Sequence, residues 1–149
     1  LKTLTMLCAT LISCAAVASD TGVGATQLRA GQVWAYKNRP DEQGSTLTIL
    51  KVEKYPDLGE VVHIRVDGIH MPNPLKGNII SDIPHLPFKE LAIKQSITHL
   101  VRTSIPVPDF RGGYDTWRKA HDAGEAGAFD TPVKQTLNAM LGGKWEEKK

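Results

Sequence analysis

From residue 31 the chain alternates apolar and polar side chains with a period of two, and the period changes after residue 86. Alternation puts successive side chains on opposite faces of a strand, whereas a 3.6-residue period lines one face of a helix. Gly31 opens the first alternating run, in which Val33, Ala35 and Lys37 alternate with Gln32, Trp34 and Tyr36. This predicts a strand with its aromatic rings on one face. Residues 38–45 are polar and include Pro40 and Gly44, so they read as a loop. Residues 46–55 are rich in Thr, Leu, Ile and Val and predict a second strand. Pro56-Asp57-Leu58-Gly59 is a turn. Residues 60–69 give the cleanest strand, with Val62, Ile64 and Val66 on one face and His63, Arg65 and Asp67 on the other. Short connections between these runs predict an antiparallel meander.

Residues 71–76 hold two prolines and an asparagine and read as irregular, and residues 78–83 as a short fourth strand. Pro87 is suited to the first turn of a helix, where its missing N–H is not needed. Ile93, Ile97, Leu100 and Val101 then fall at helical spacing, which predicts an amphipathic helix over 88–102. Ile105-Pro106-Val107-Pro108 is a stiff extended link, and Tyr114, Trp117 and His121 share one face of a short helix ending near Gly124. Thr131-Pro132 caps a last helix carrying Val133, Leu137, Met140 and Leu141, which Gly142-Gly143 stops. Strands first and helices afterwards predict an α+β fold: an antiparallel β-meander of three to four strands followed by two to three helices packed on one face. The expected layout is a linker over 19–30, a single domain over 31–143 and a charged tail over 144–149.

The first eighteen residues follow a different pattern. Lys2 precedes an uncharged, mostly apolar run over 4–14, then small residues, and the first acid is Asp20. This is the layout of a secretory signal peptide, with Ala16-Val17-Ala18 as the cleavage site and Ser19 as the new N-terminus. The run is shorter than the roughly 20 residues that span a bilayer. Leu11-Ile12-Ser13-Cys14 also resembles a bacterial lipobox, which implies lipidation of Cys14 and a tether to the envelope membrane. The apolar residues 15–18 that follow favour cleavage after Ala18. The expected location is the periplasm or the exterior, with a membrane contact only if Cys14 is lipidated.

Cleavage there changes the chemistry available. Both cysteines, Cys8 and Cys14, lie in the leader, so the mature chain has no disulfide, thiol nucleophile or cysteine-based zinc site. The formal charge falls from +2 to +1 because only Lys2 is removed, which argues against nucleic acid as a partner. No G-x-S-x-G, H-E-x-x-H, P-loop or G-x-G-x-x-G pattern is present, so no metal and no cofactor is expected. His63, Arg65 and Asp67 form a polar row that is either a binding face or the solvated side of a half-buried sheet. Trp34, Tyr36, Tyr114 and Trp117 are either core residues or the lining of a ligand cleft. Trp145 stands in the charged tail as an anchor or a protein contact.

Several short strings carry a resemblance. They are Gly31-Gln32-Val33-Trp34, Tyr36, Arg39-Pro40, Glu42, the strand over 45–50 and Val62-His63-Ile64-Arg65-Val66. His85-Leu86-Pro87-Phe88, Gly113-Tyr114, Trp117-Arg118, Ala126-Gly127 and Phe129 complete the set. In these the chain resembles small bacterial exported proteins of unassigned function that share a GQVW-x-Y-x-x-RP-x-E strand and loop signature. The resemblance implies no activity. It singles out Arg39, Glu42, His63 and His85 as a polar group around the mouth of the sheet.

Three readings of function follow. The first is a non-catalytic interaction module, such as an inhibitor or immunity-type partner of another envelope protein, with Arg39, Glu42, His63, Arg65, His85 and Trp145 as binding residues. The second is a small envelope hydrolase that uses His63 or His85 with a carboxylate such as Glu42 or Asp82. The third is a small-ligand carrier with a pocket lined by Trp34, Tyr36 and Trp117.

Overall fold

The computed structural model describes residues 26–140. The predicted leader with Cys14, the start of the linker and the tail with Trp145 lie outside the described residues. The elements in order are β1 (Val33–Tyr36), a 3₁₀ turn (Pro40–Glu42), β2 (Thr46–Tyr55), β3 (Gly59–Pro72), β4 (Ile79–Lys89), α1 (Glu90–Ser96), β5 (Ile97–Arg102), α2 (Arg111–Asp122) and α3 (Val133–Ala139). The strands form one sheet in the order β4-β3-β2-β1-β5, antiparallel throughout. The fold is α+β, an antiparallel sheet in meander-like order followed by helices packed against it, α2 on one face and α1 and α3 on the other.

That face holds the core. Trp34 and Tyr36 from β1, Leu47 and Ile49 from β2, Val62, Ile64 and Val66 from β3, and Leu86 and Phe88 from β4 meet Ala92 and Ile93 of α1 and Val133 and Leu137 of α3. Each fully buried large apolar side chain contributes about 1.5–3 kcal/mol. Ser96 fastens the two helices together. Its hydroxyl donates to the Ala92 carbonyl at 2.7 Å and accepts the Val133 N–H at 2.9 Å. That bond satisfies a backbone donor at the start of α3, which its own helix cannot pair.

The expected helix over 88–102 is corrected. Residues up to Lys89 belong to β4, only Glu90–Ser96 is helical, and residues 97–102 form β5 against β1. Pro87 does not open a helix. It pairs with His63 inside the edge strand β4, where its carbonyl accepts the Phe129 N–H from the outer side. In an antiparallel strand a residue's N and O point the same way, so the missing N–H of Pro87 faces the outer edge and no ladder bond is lost. The fourth strand is accordingly longer than residues 78–83.

Beyond Asp67, β3 leaves β2 and pairs with β4 alone, which makes a two-stranded arm closed by the loop over 73–78. Gly68 lets the strand leave, with φ of +76° and a position where a Cβ would lie 3.2 Å from the Ser45 Cα. The 3₁₀ turn holds the arm down, because a Glu42 carboxylate oxygen accepts the His70 N–H at 2.7 Å.

Candidate functional site

The pleat that buries Val62 and Ile64 sends His63, between them, to the other face of the sheet. Lys51 lies opposite His63 in the β2 register, and Glu53 and Tyr55 follow it at a spacing of two. His85 comes from β4 at a break in the register between the Ile64–Leu86 and Val66–Ile83 pairs. An extra residue at such a break re-aims side chains, and here it brings the His85 ring over His63. His63 Nδ1 and His85 Nε2 are 2.9 Å apart, with the rings 18° from parallel.

Helix α2 closes over this pair. Gly113 sits directly on His85, since a Cβ there would lie 2.8 Å from the His85 Cβ. Tyr114 next to it and Trp117 one turn on meet the His63 ring edge to face, each with centroids 5.0 Å away. Tyr55 approaches from β2 and Phe110 stacks on His85. Further along α2, His121 stacks on Trp117 and bonds Asp57 at 2.9 Å. Polar bonds pin the helix to the sheet. Glu53 accepts the hydroxyls of Tyr55 and Tyr114, pairs with Lys51, and lies 3.6 Å from Arg118.

His63 is fully buried. Its Nε2 has no hydrogen-bond partner among the described residues. A buried N–H without an acceptor is the costlier alternative, so the proton belongs on Nδ1, donating to His85 Nε2. Burial first, and the neighbouring His85 second, lower the His63 pKa to about 4. Burial also lowers that of His85. Both rings are therefore neutral at pH 7. Burial works against the ionised form of Glu53, but the bonds from Lys51, Tyr114 and Tyr55 outweigh it and hold the carboxyl down at about 2. Burial and the bond to Glu53 push the Tyr55 hydroxyl up.

The residues singled out from sequence do not form one group. His63 and His85 meet. Arg39 and Glu42 are buried together, 6% and 3% exposed, in a two-point ion pair at the 3₁₀ turn. Glu42 therefore serves the turn and the arm, not the histidines. Asp82 and Asp67 both hold Arg65, at 2.9 Å. No carboxylate reaches His63 or His85 by a hydrogen bond among those described. Trp34 and Tyr36 sit in the core, on the face of the sheet opposite His63 and Trp117. Trp34 donates its indole N–H to Gln32, and the Tyr36 hydroxyl bonds Ser45. They share no pocket with Trp117. Cys14 and Trp145 lie outside the described residues.

Sequence reasoning missed Glu53, Tyr55 and Phe110. The signal for the first two was present, since Lys51, Glu53 and Tyr55 share a strand face. Nothing local placed that face beneath α2. Among the described residues, no group of three or more His, Cys, Asp or Glu is gathered to hold a metal ion, and no helix is long and apolar enough to cross a membrane. Compared with family models, curated proteins and solved structures, the chain matches none of them.

Proposed function

We propose that this chain is an exported, non-catalytic interaction module that binds another envelope protein. The observation that carries the reading is the state of its histidine pair. A general base must reach the proton it abstracts. His63 is enclosed by Tyr55, Tyr114, Trp117 and His85. The carboxylates that could have activated it, Glu42 and Asp82, are engaged elsewhere. Of the polar row, His63 is packing beneath α2, while Arg65 and Asp67 form a partly exposed ion pair beside it.

The β3–β4 arm is the surface this reading favours. It continues past β2 and carries Leu75, 93% exposed, in its loop and Ile79, 44% exposed, beside that loop opposite Pro72. Apolar side chains on such a hairpin suit insertion into a partner's apolar pocket. The test pairs the mature wild-type domain with L75D/I79D as baits in the same envelope extract. One protein retained in constant ratio by the wild type and lost by the variant, at unchanged urea midpoint, supports the reading. Equal retention by both removes the arm. Hydrolysis of an ester or peptide panel that disappears in His85→Gln replaces the reading with the hydrolase.

A further inference from the structure

We propose that α2 is a proton-released clasp, closed on the sheet while the His63–His85 pair shares a hydrogen bond and open once both rings are charged. The 2.9 Å contact needs an N–H on one ring and a lone pair on the other. A first proton leaves that bond intact, because an imidazolium still donates to a neutral imidazole. A second proton removes the last lone pair and sets two like charges against each other. The closed form, neutral at pH 7, therefore tolerates at most one added proton on the pair, whereas the open form takes up two.

The helix is built to come away without the fold. It contains no buried residue, whereas α1 and α3 each bury three. It is entered through Ile105-Pro106-Val107-Pro108 and left through Gly124, whose φ of +75° ends it. Gly113, Tyr114 and Trp117 rest on the two histidines, while Tyr114 and Arg118 also reach Glu53.

The groups around the pair act in both directions. Lys51 of β2 and Arg118 of α2 oppose charge on His63, and Glu53 of β2 favours it. Tyr55 of β2 and Tyr114 of α2 present hydroxyls already bonded to Glu53. Arg65, next along β3, is neutralised by Asp67 and Asp82. Lys89 of β4 donates its ammonium to the Leu58 carbonyl. His121 on α2 bonds Asp57 at 2.9 Å, and this contact restrains the far end of the helix. Release thus starts at the Phe110 end.

The sign follows from the direction of the shift. A depressed histidine pKa means that the open form takes up a proton that the closed form refuses. Closure is complete above the unperturbed value of about 6.5 and weakens about tenfold per pH unit below it, down to the depressed value. Between pH 7.5 and pH 5 the opening constant rises about 30-fold from His63 alone.

Hydrogen exchange read by mass spectrometry, corrected for intrinsic rates, measures this on the whole mature chain. Protection of residues 111–122 should fall about 30-fold at pH 5 relative to pH 7.5, with residues 46–55 unchanged. In His63→Gln the pH effect on α2 should fall to the part that the burial of His85 contributes. In His85→Gln, where the ring and its second charge are gone, it should shrink, and this variant serves if the first does not fold. Equal α2 protection at both pH values overturns the proposal. So does a parallel loss in residues 46–55, or an undiminished effect in either variant.

Discussion

Replacing Glu42 by alanine should cost the domain about 4 kcal/mol, which is far more than a binding-surface residue would. Its carboxylate accepts from Arg39 Nε at 2.8 Å, from Arg39 Nη2, and from the His70 N–H at 2.7 Å. Both members of the ion pair are nearly inaccessible to water. Removing one partner of a buried ion pair typically costs about 3–5 kcal/mol. A backbone N–H left without its acceptor adds about 1–3 kcal/mol, partly overlapping with the first loss. Glu42→Gln keeps an oxygen for His70 but loses the charge and the acceptor facing Arg39 Nε, so it should recover only part of the alanine loss. The assay is urea unfolding followed by far-UV circular dichroism. With a slope of about 1.5 kcal/mol/M, the alanine midpoint should fall by about 2–3 M. A double-mutant cycle with Arg39→Met then isolates the pair, and the two changes should be strongly non-additive. A loss of only about 0.5 kcal/mol, as at an ordinary surface position, would refute the reasoning and return Arg39 and Glu42 to the list of contact residues.

Other outcomes follow from the same geometry. Ser96→Ala should destabilise by about 1–3 kcal/mol, read by the same urea assay, because it orphans the buried Val133 N–H at the start of α3. Gly113→Ala should lift α2 from the sheet, since the new methyl would lie 2.8 Å from the His85 Cβ. The emission of Trp117 should then shift to the red at pH 7.5 while the urea midpoint of the sheet hardly moves.

Much of the fold was legible because the strands obey their period. β2 lies where the β-branched run places it, and β3 exceeds its expected span because the arm continues past Asp67. The aromatic stripe of α2 was also legible, and Tyr114, Trp117 and His121 face the sheet as their spacing requires. The error lies at 88–102. Ile93, Ile97, Leu100 and Val101 fit a helical stripe, yet residues 97–102 become a strand because β1 offers them an open edge. Pairing with a distant strand overrides a local period, and nothing within the segment announces it. The site was half visible for a similar reason. His63 was placed on a strand face correctly, but the closing of α2 over it depends on contacts some 50 residues apart. The register break that turns His85 toward it leaves no local mark either.

The most direct test of the central claim, that a neutral, enclosed histidine pair sits beneath α2, is an NMR titration of the imidazole nitrogens from pH 8 to pH 4. The account predicts a His63 ring that carries its proton on Nδ1, exchanges it slowly with water and stays neutral well below pH 6, titrating near 4. A His63 ring that titrates near 6.5, with a proton in fast exchange, would place it in open solvent and contradict the account.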